Sequence, residues 1–284
     1  MIDDWISSLR EQIIKSDPSL IHIFEIYAAE AKFGRSFIDA NLDLLRCNAS
    51  ILEIGAGAMI LSCQLIREGF SVTALEPTSN PFSHFSKMRS VILKHASISK
   101  CLPKISLVKA EDISQKEMFD FIFSINVMEH VESVEQVINS AANALKINHS
   151  YRFTCPNYLF PYEPHFNMPT LINKKLTWLL FRGLITNNIK LNKPGDLWES
   201  LNWISFVSIS KVSIKNKSIK ISYNKNILTD TLVRTLTDYE FSSRRSAHMR
   251  IIIRGLVFFK VHKLLSRFPL LMQPIIDCTV TRIK

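Results

Sequence analysis

Two kinds of apolar pattern alternate along the chain. In one, apolar residues recur every three or four positions, as on one face of a helix; in the other, four to seven apolar residues run together, as in a buried strand. Residues 3–16 and 20–46 carry the helical pattern, clearest in Phe24-Glu25-Ile26-Tyr27-Ala28-Ala29-Glu30-Ala31-Lys32-Phe33. Asp17-Pro18 separates them, because proline disfavours helix at the residue before it. Ile51-Leu52-Glu53-Ile54 then reads as a strand running into Gly55-Ala56-Gly57, and Leu61 to Glu68 as a helix stopped by a glycine C-cap signal at Gly69. Phe70–Glu76 predicts a second strand, Phe82–His95 a helix, Ile105–Lys109 a third strand and Asp120–Ile125 a fourth. Helix resumes to about Leu145, and Tyr151–Cys155 predicts a fifth strand closed by Pro156-Asn157. Strands alternating with helices predict right-handed βαβ units, hence an α/β fold with a doubly wound parallel sheet.

Beyond Asn157 the pattern changes. Tyr158 to Pro169 is rich in proline and aromatic residues, too apolar for a linker and too proline-rich for a helix. A long ordered loop beside strand ends predicts a lid or substrate wall. Helix is expected again at 170–185, a strand at Ser218–Tyr223 with Ile219, Ile221 and Tyr223 on one face, and a last alternating strand at Cys278–Ile283. This divides the chain into residues 1–157, helices and a ligand-binding core, and residues 158–284, a substrate-side cap region with the last strands of the same domain.

The candidate chemistry collects at strand ends, where open α/β sheets bind ligands. Glycines two apart let backbone approach a ligand closely, and the following helix start offers free N–H groups. Glu76 lies nineteen residues after Gly57, the offset at which nucleotide-binding α/β folds set a carboxylate on ribose hydroxyls. Glu53, Asp112, Asn126 and Asn157 also fall at or just past predicted strand ends. Tyr27 and Arg35, on the helix feeding the first strand, are further candidates at the mouth of such a site. For proton transfer, His165 in the aromatic loop and His130 after the fourth strand are the candidates, since neutral imidazole accepts a proton near pH 7. No metal-ligand spacing is apparent. A dinucleotide fingerprint would require glycine at position 60, where this chain has Ile60.

Charge adds one feature. Residues 211–284 hold 15 lysines and arginines against 4 acids, whereas residues 1–210 are nearly balanced. The basic quarter predicts an anionic partner. Its segment Met249–Leu265 is apolar but broken by cations, which excludes a span and fits either packing on the core with the lysines outward or lying on an anionic membrane face. Nucleic acid is the weaker expectation, because no recognition motif accompanies the charge. Five scattered cysteines and an acidic start without an apolar run predict free thiols and no export signal. The expected location is therefore cytoplasmic, with peripheral contact at the inner membrane face.

Leu52-Glu53-Ile54-Gly55-Ala56-Gly57, Ala74-Leu75-Glu76, Ala110-Glu111-Asp112, and Phe119-Asp120-Phe121-Ile122 with Met128-Glu129-His130-Val131 together resemble the ordered signature of class I S-adenosylmethionine-dependent methyltransferases. The resemblance spans roughly residues 35–160. It implies a Rossmann-like seven-stranded sheet whose last strand is antiparallel, and S-adenosylmethionine as cofactor. It implies Glu53 at the methionine end, with Gly55, Ala56 and Gly57 beneath the cofactor. It also implies Glu76 on the ribose, Glu111 or Asp112 at the adenine, and Ile125 and Asn126 near the methyl group. One departure is Met59, where a small residue is usual: a bulky side chain there narrows the turn unless it points into the core. A second is Ile147-Asn148-His149 in place of a Pro-Gly-Gly turn. The stretch from Cys155 to His165 resembles methyltransferases of polysaccharide or lipid-linked glycan pathways. The expected activity is thus O-methylation of a glycan, lipid-linked or other small acceptor. The alternatives are a methyltransferase acting on RNA, or a non-catalytic scaffold with an occluded turn over Gly55–Gly57.

Overall fold

The computed structural model describes residues 1–77, 83–189, 191, 193–243 and 247–284. Helices α1 (Ile2–Ser16) and α2 (Ile21–Leu42) precede β1 (Ser50–Ile54). There follow α3 (Ile60–Arg67), β2 (Ser71–Leu75), α4 (Ser83–Ile98), β3 (Lys104–Ser106), β4 (Phe119–Ile125), α5 (Val134–Ala144) and β5 (Leu145–Pro156). The second part holds a short ribbon of β6 (Tyr162–Glu163) and β7 (Met168–Pro169), then α6 (Lys174–Thr186), α7 (Pro194–Ser200) and α8 (Phe206–Lys215). It ends with β8 (Ile219–Tyr223), α9 (Ile227–Thr237), α10 (Tyr239–Ser243), α11 (Ala247–Phe258) and β9 (Ile275–Arg282). The Phe82 start expected for the fourth helix lies outside the described residues.

Seven strands form one sheet in the order β3-β2-β1-β4-β5-β9-β8. Neighbours from β3 through β5 are parallel, while β9 runs antiparallel to both β5 and β8. The order reverses between β1 and β4, so the carboxyl ends of these strands open the crevice where such sheets bind ligands. Burial on both faces explains why β1 and β4 read as apolar runs rather than alternations. One core cluster lies on the α1–α4 side with Trp5, Phe24 and Phe123; the other lies on the α5–α8 side with Tyr151, Phe153 and Trp198. Trp5 is fully buried, and its Nε1 donates to the Ile60 carbonyl at 3.1 Å, which ties α1 to the start of α3.

Several boundaries differ from the sequence expectation. The third strand stops at Ser106 rather than Lys109, because it is an edge strand and a 3₁₀ turn at Ala110–Asp112 follows. The fifth begins at Leu145 rather than Tyr151. Its register against β4 slips between Phe119 and Phe121, and the extra residues Ile147-Asn148-His149 are absorbed there with Asn148 left-handed at φ 65°. The Tyr158–Pro169 loop folds back on itself as the β6–β7 ribbon instead of remaining irregular. Arg152 of β5 makes two hydrogen bonds to the buried Asp277 of β9 at 3.0 and 2.7 Å, pinning the antiparallel strand.

Candidate active site

The turn between β1 and α3 is built from backbone. The Gly55 and Ala56 N–H groups both donate to the Leu75 carbonyl, at 2.8 and 3.1 Å. Gly55 (φ 73°) and Gly57 (φ 52°) take left-handed conformations that side chains disfavour. A Cβ on Gly55 would also collide with Val127 after β4. Gly57 N–H donates to Glu76 Oε2 at 2.9 Å, so the carboxylate at the end of β2 sits against the turn. A cavity of about 320 Å³ opens here, lined among others by Tyr27, Glu53, Gly55, Gly57, Ile125 and Asn126. Ala56 and Val127 also line it, as do Ile60 and Leu61 of the first turn of α3, where N–H groups lack helical partners.

Met59 is left-handed (φ 63°) and 1% exposed. Its side chain packs in the core with Ile60, Leu61 and Phe85, and the cavity beside it stays open. The scaffold alternative needed an occluded turn, and the open cavity speaks against it.

Glu53 is 7% exposed and accepts a short hydrogen bond from the Ser62 hydroxyl. Burial raises its carboxyl to about 8; the Ser62 bond opposes this, and the charge of Glu76 adds to it. Burial also raises Glu76, against the pull of the Gly57 N–H and of Arg89. Asn126, left-handed at φ 54°, donates its N–H to the Thr154 carbonyl at 2.9 Å and joins Ile125 in the cavity wall.

Other expected residues are engaged elsewhere. Glu111 Oε1 accepts from the Glu132 and Ser133 N–H groups at 2.8 and 3.2 Å, holding the approach to α5. Asp112 beside it is exposed, and its side chain makes no hydrogen bond of this kind among the described residues. Asn157 Nδ2 donates to the Leu270 and Gln273 carbonyls, so it anchors the C-terminal segment. Arg35 pairs with Glu68 and Asp39, and it is not among the cavity residues.

His130 and His165 do meet, with ring centroids 5.3 Å apart. His130 Nδ1 lies 3.0 Å from Ser200 Oγ, and His165 Nδ1 lies 2.6 Å from Glu163 Oε1. Glu163, wholly buried, also accepts from the Tyr158 hydroxyl and the Phe166 N–H, which fixes its orientation. Burial, with His165 beside it, lowers His130 to about 4. Burial opposes the charged form of His165, but its bond to Glu163 and the charges of Glu163 and Glu129 raise it above the usual range. Glu129, completely buried, is raised by that burial to about 7, with His165 opposing. The Met128–Val131 carbonyls are held by Asn202, whose Nδ2 donates to Met128 and Val131 and whose N–H donates to Glu129. Sequence reasoning missed Glu129 and Glu163. An acid inside Met-Glu-His-Val and one two residues before His165 were the available signals.

Comparison with known proteins agrees with this geometry. A family model described as a methyltransferase domain matches residues 27–183. An uncharacterized protein of Mycobacterium tuberculosis (strain H37Rv) is 38% identical over 281 residues, which cover 99% of this chain and 95% of that protein. A ubiquinone biosynthesis O-methyltransferase of Hydrogenovibrio crunogenus is 28% identical over 101 residues, 35% of this chain and 39% of that protein. Among solved structures, the geranyl diphosphate C-methyltransferase of Streptomyces coelicolor A3(2), in complex with Mg2+, geranyl diphosphate and S-adenosyl-L-homocysteine, shares the fold. Its TM-score is 0.51 at 11% identity, covering 93% of this chain and 81% of that one. By the family model and by its sheet order, the chain belongs to the methyltransferase-domain family and is an S-adenosylmethionine-dependent methyltransferase.

Proposed function

We infer that this enzyme methylates a hydroxyl of a glycan, lipid-linked or other small acceptor. The observation that carries the reading is the Glu163–His165 pair, a buried carboxylate holding Nδ1 of a half-buried histidine from the aromatic loop. With Nδ1 held, Nε2 is the atom free to take the acceptor's proton. His130, kept neutral, stands beside it as a second polar contact. The cofactor supplies an electrophilic methyl group on a sulfonium, and the protein's task is positioning. In this reading Gly55, Ala56 and Gly57 pass beneath the cofactor, and Glu53 faces its cationic methionine end. Glu76 accepts from the ribose hydroxyls, Asp112 lies at the adenine, and Ile125 and Asn126 flank the methyl group. The open cavity lined by the turn and by Glu53 supports this assignment. Substituting His165→Ala should abolish turnover of the acceptor while cofactor affinity is retained; equal turnover would refute the role.

The basic quarter supports a peripheral position on an anionic membrane. Between Phe241 and Ile276 the sequence has seven lysines and arginines and no aspartate or glutamate. Helix α11 buries only Ile253, while Ile251, Ile252, Phe258 and Phe259 are exposed by 67, 56, 77 and 74%. Apolar side chains interleaved with cations suit the interface of anionic lipid, where apolar area and charge act together. Among the described residues no helix is long and apolar enough to cross a membrane. Sedimentation with phosphatidylserine vesicles should show binding that falls with salt and is lost in Phe258→Ser/Phe259→Ser. Indifference to vesicles together with retardation of RNA on a gel would overturn the lipid reading.

A further inference from the structure

Glu129 and His130 are adjacent in sequence and His165 is thirty-five residues further on, so no ligand spacing is visible along the chain. The fold nevertheless brings one donor atom of each within 4.8 Å of the others. Two independent observations point to a missing ligand. Glu129 is completely buried, and neither of its carboxylate oxygens accepts a hydrogen bond from another residue among the described residues. A buried acceptor of that kind calls for an explanation, since such groups are nearly always satisfied. Both histidines, moreover, have Nδ1 occupied, by Ser200 and by Glu163, leaving Nε2 on each ring. A carboxylate on the far nitrogen of a histidine is the usual outer support of a metal ligand, fixing its tautomer and orientation. Glu163 is itself held by Tyr158 and the Phe166 N–H, so the support is rigid.

We propose that Glu129, His130 and His165 bind one first-row divalent cation such as Mn2+, Fe2+ or Co2+, through one carboxylate and two imidazoles. Two histidines and a carboxylate form a facial set that leaves coordination positions open. The half-buried histidines give the ion a way in, and the buried carboxylate supplies the charge that holds it. Use of the site rests on the methyltransferase reading; binding of the ion does not. An acceptor hydroxyl on an open position would be acidified by the cation and shed its proton to water. Its oxygen would then form the O–C bond to the cofactor's methyl group as the C–S bonding pair returns to sulfur, neutralising the sulfonium. The ion thereby takes over the activation that a metal-free His165 would perform.

The test is titration of the chelator-treated full-length protein with MnCl2, followed by the electron paramagnetic resonance signal of free Mn2+. One equivalent should bind. Glu129→Gln and His165→Gln should each weaken binding by at least about tenfold, and Glu163→Gln, which removes only the outer support, by roughly 10–100-fold. Circular dichroism and S-adenosylhomocysteine affinity should be unchanged in all three, which separates loss of the ion from loss of the fold or of the cofactor site. Should Glu129→Gln fail to fold, the half-buried His165→Gln carries the same comparison. Absence of Mn2+ binding to the wild type, or equal affinity in wild type and variants, would overturn the proposal. If S-adenosylhomocysteine still bound in that case, the methyltransferase reading would stand.

Discussion

Raising the pH should cost the folded enzyme stability that a glutamine at position 53 would retain. Glu53 lies in the cavity wall at 7% exposure, and burial lifts its carboxyl from 4.5 to about 8. In the unfolded chain the same group ionises near 4.5. Between these values the folded state binds the extra proton, so stability is highest below 4.5 and declines as pH rises towards 8. The difference, 8 minus 4.5, is 3.5 units; at about 1.4 kcal/mol per unit it sets a ceiling of about 5 kcal/mol. Glutamine keeps the shape and a hydrogen bond to Ser62 without the ionisation, so Glu53→Gln removes the slope. Other groups titrate in the same range, and comparing wild type with variant at each pH cancels them. Thermal unfolding should give similar midpoints for the two proteins at pH 5. By pH 8.5 the variant should lead by several degrees, at about 2–4 °C per kcal/mol for a chain of this order. A midpoint difference that does not change between pH 5 and 8.5 would show that Glu53 is ionised throughout in the folded protein, and would refute the reasoning.

Five further substitutions probe other parts of the structure. Glu76→Ala should weaken S-adenosylmethionine binding by roughly 1–3 kcal/mol, the cost of hydrogen bonds to a charged group; unchanged affinity in calorimetry would mean the ribose lies elsewhere. Glu111→Gln should leave cofactor affinity intact and lower stability by about 1 kcal/mol, as for loss of a helix cap, whereas Asp112→Ala should weaken the cofactor without destabilising the chain. Met59→Gly relieves a left-handed backbone but empties a core position, so denaturant unfolding should show a net loss of about 1–3 kcal/mol with cofactor affinity retained. Asp277→Ala takes away the carboxylate partner of Arg152, which keeps only the neutral Phe37 carbonyl and Asn41, and should cost about 3–5 kcal/mol; a loss below 1 kcal/mol would show that the pair does not hold β9 in place.

Local signals carried most of the architecture. Apolar runs marked the parallel strands because both faces of the sheet are covered, and Gly55-Ala56-Gly57 marked the turn because its backbone needs left-handed residues. The offset from Gly57 to Glu76 proved to be a direct hydrogen bond. What escaped sequence reading was set by tertiary contact. Glu111 and Asp112 are adjacent, and only the position of α5 decides which one is consumed by backbone N–H groups. Asn157 looked like a ligand residue at a strand end, yet the chain returning at Leu270–Gln273 takes up its amide. The grouping of Glu129, His130, Glu163 and His165 depends on the β6–β7 segment bringing His165 against His130, which no spacing encodes. The departure at Ile147-Asn148-His149 marked where β5 slips, but the slip itself depends on pairing with β4, where a left-handed Asn148 absorbs the extra residues.

The central claim is that the cavity over Gly55–Gly57 holds S-adenosylmethionine. Isothermal titration of the full-length protein with S-adenosylmethionine and with S-adenosylhomocysteine tests it most directly. One site per chain is expected, with dissociation constants of about 1–100 μM, or roughly −8 to −5.5 kcal/mol, weakened in Glu76→Ala. Absence of binding by either compound at about 1 mM, where even −4 kcal/mol would register, would contradict the account.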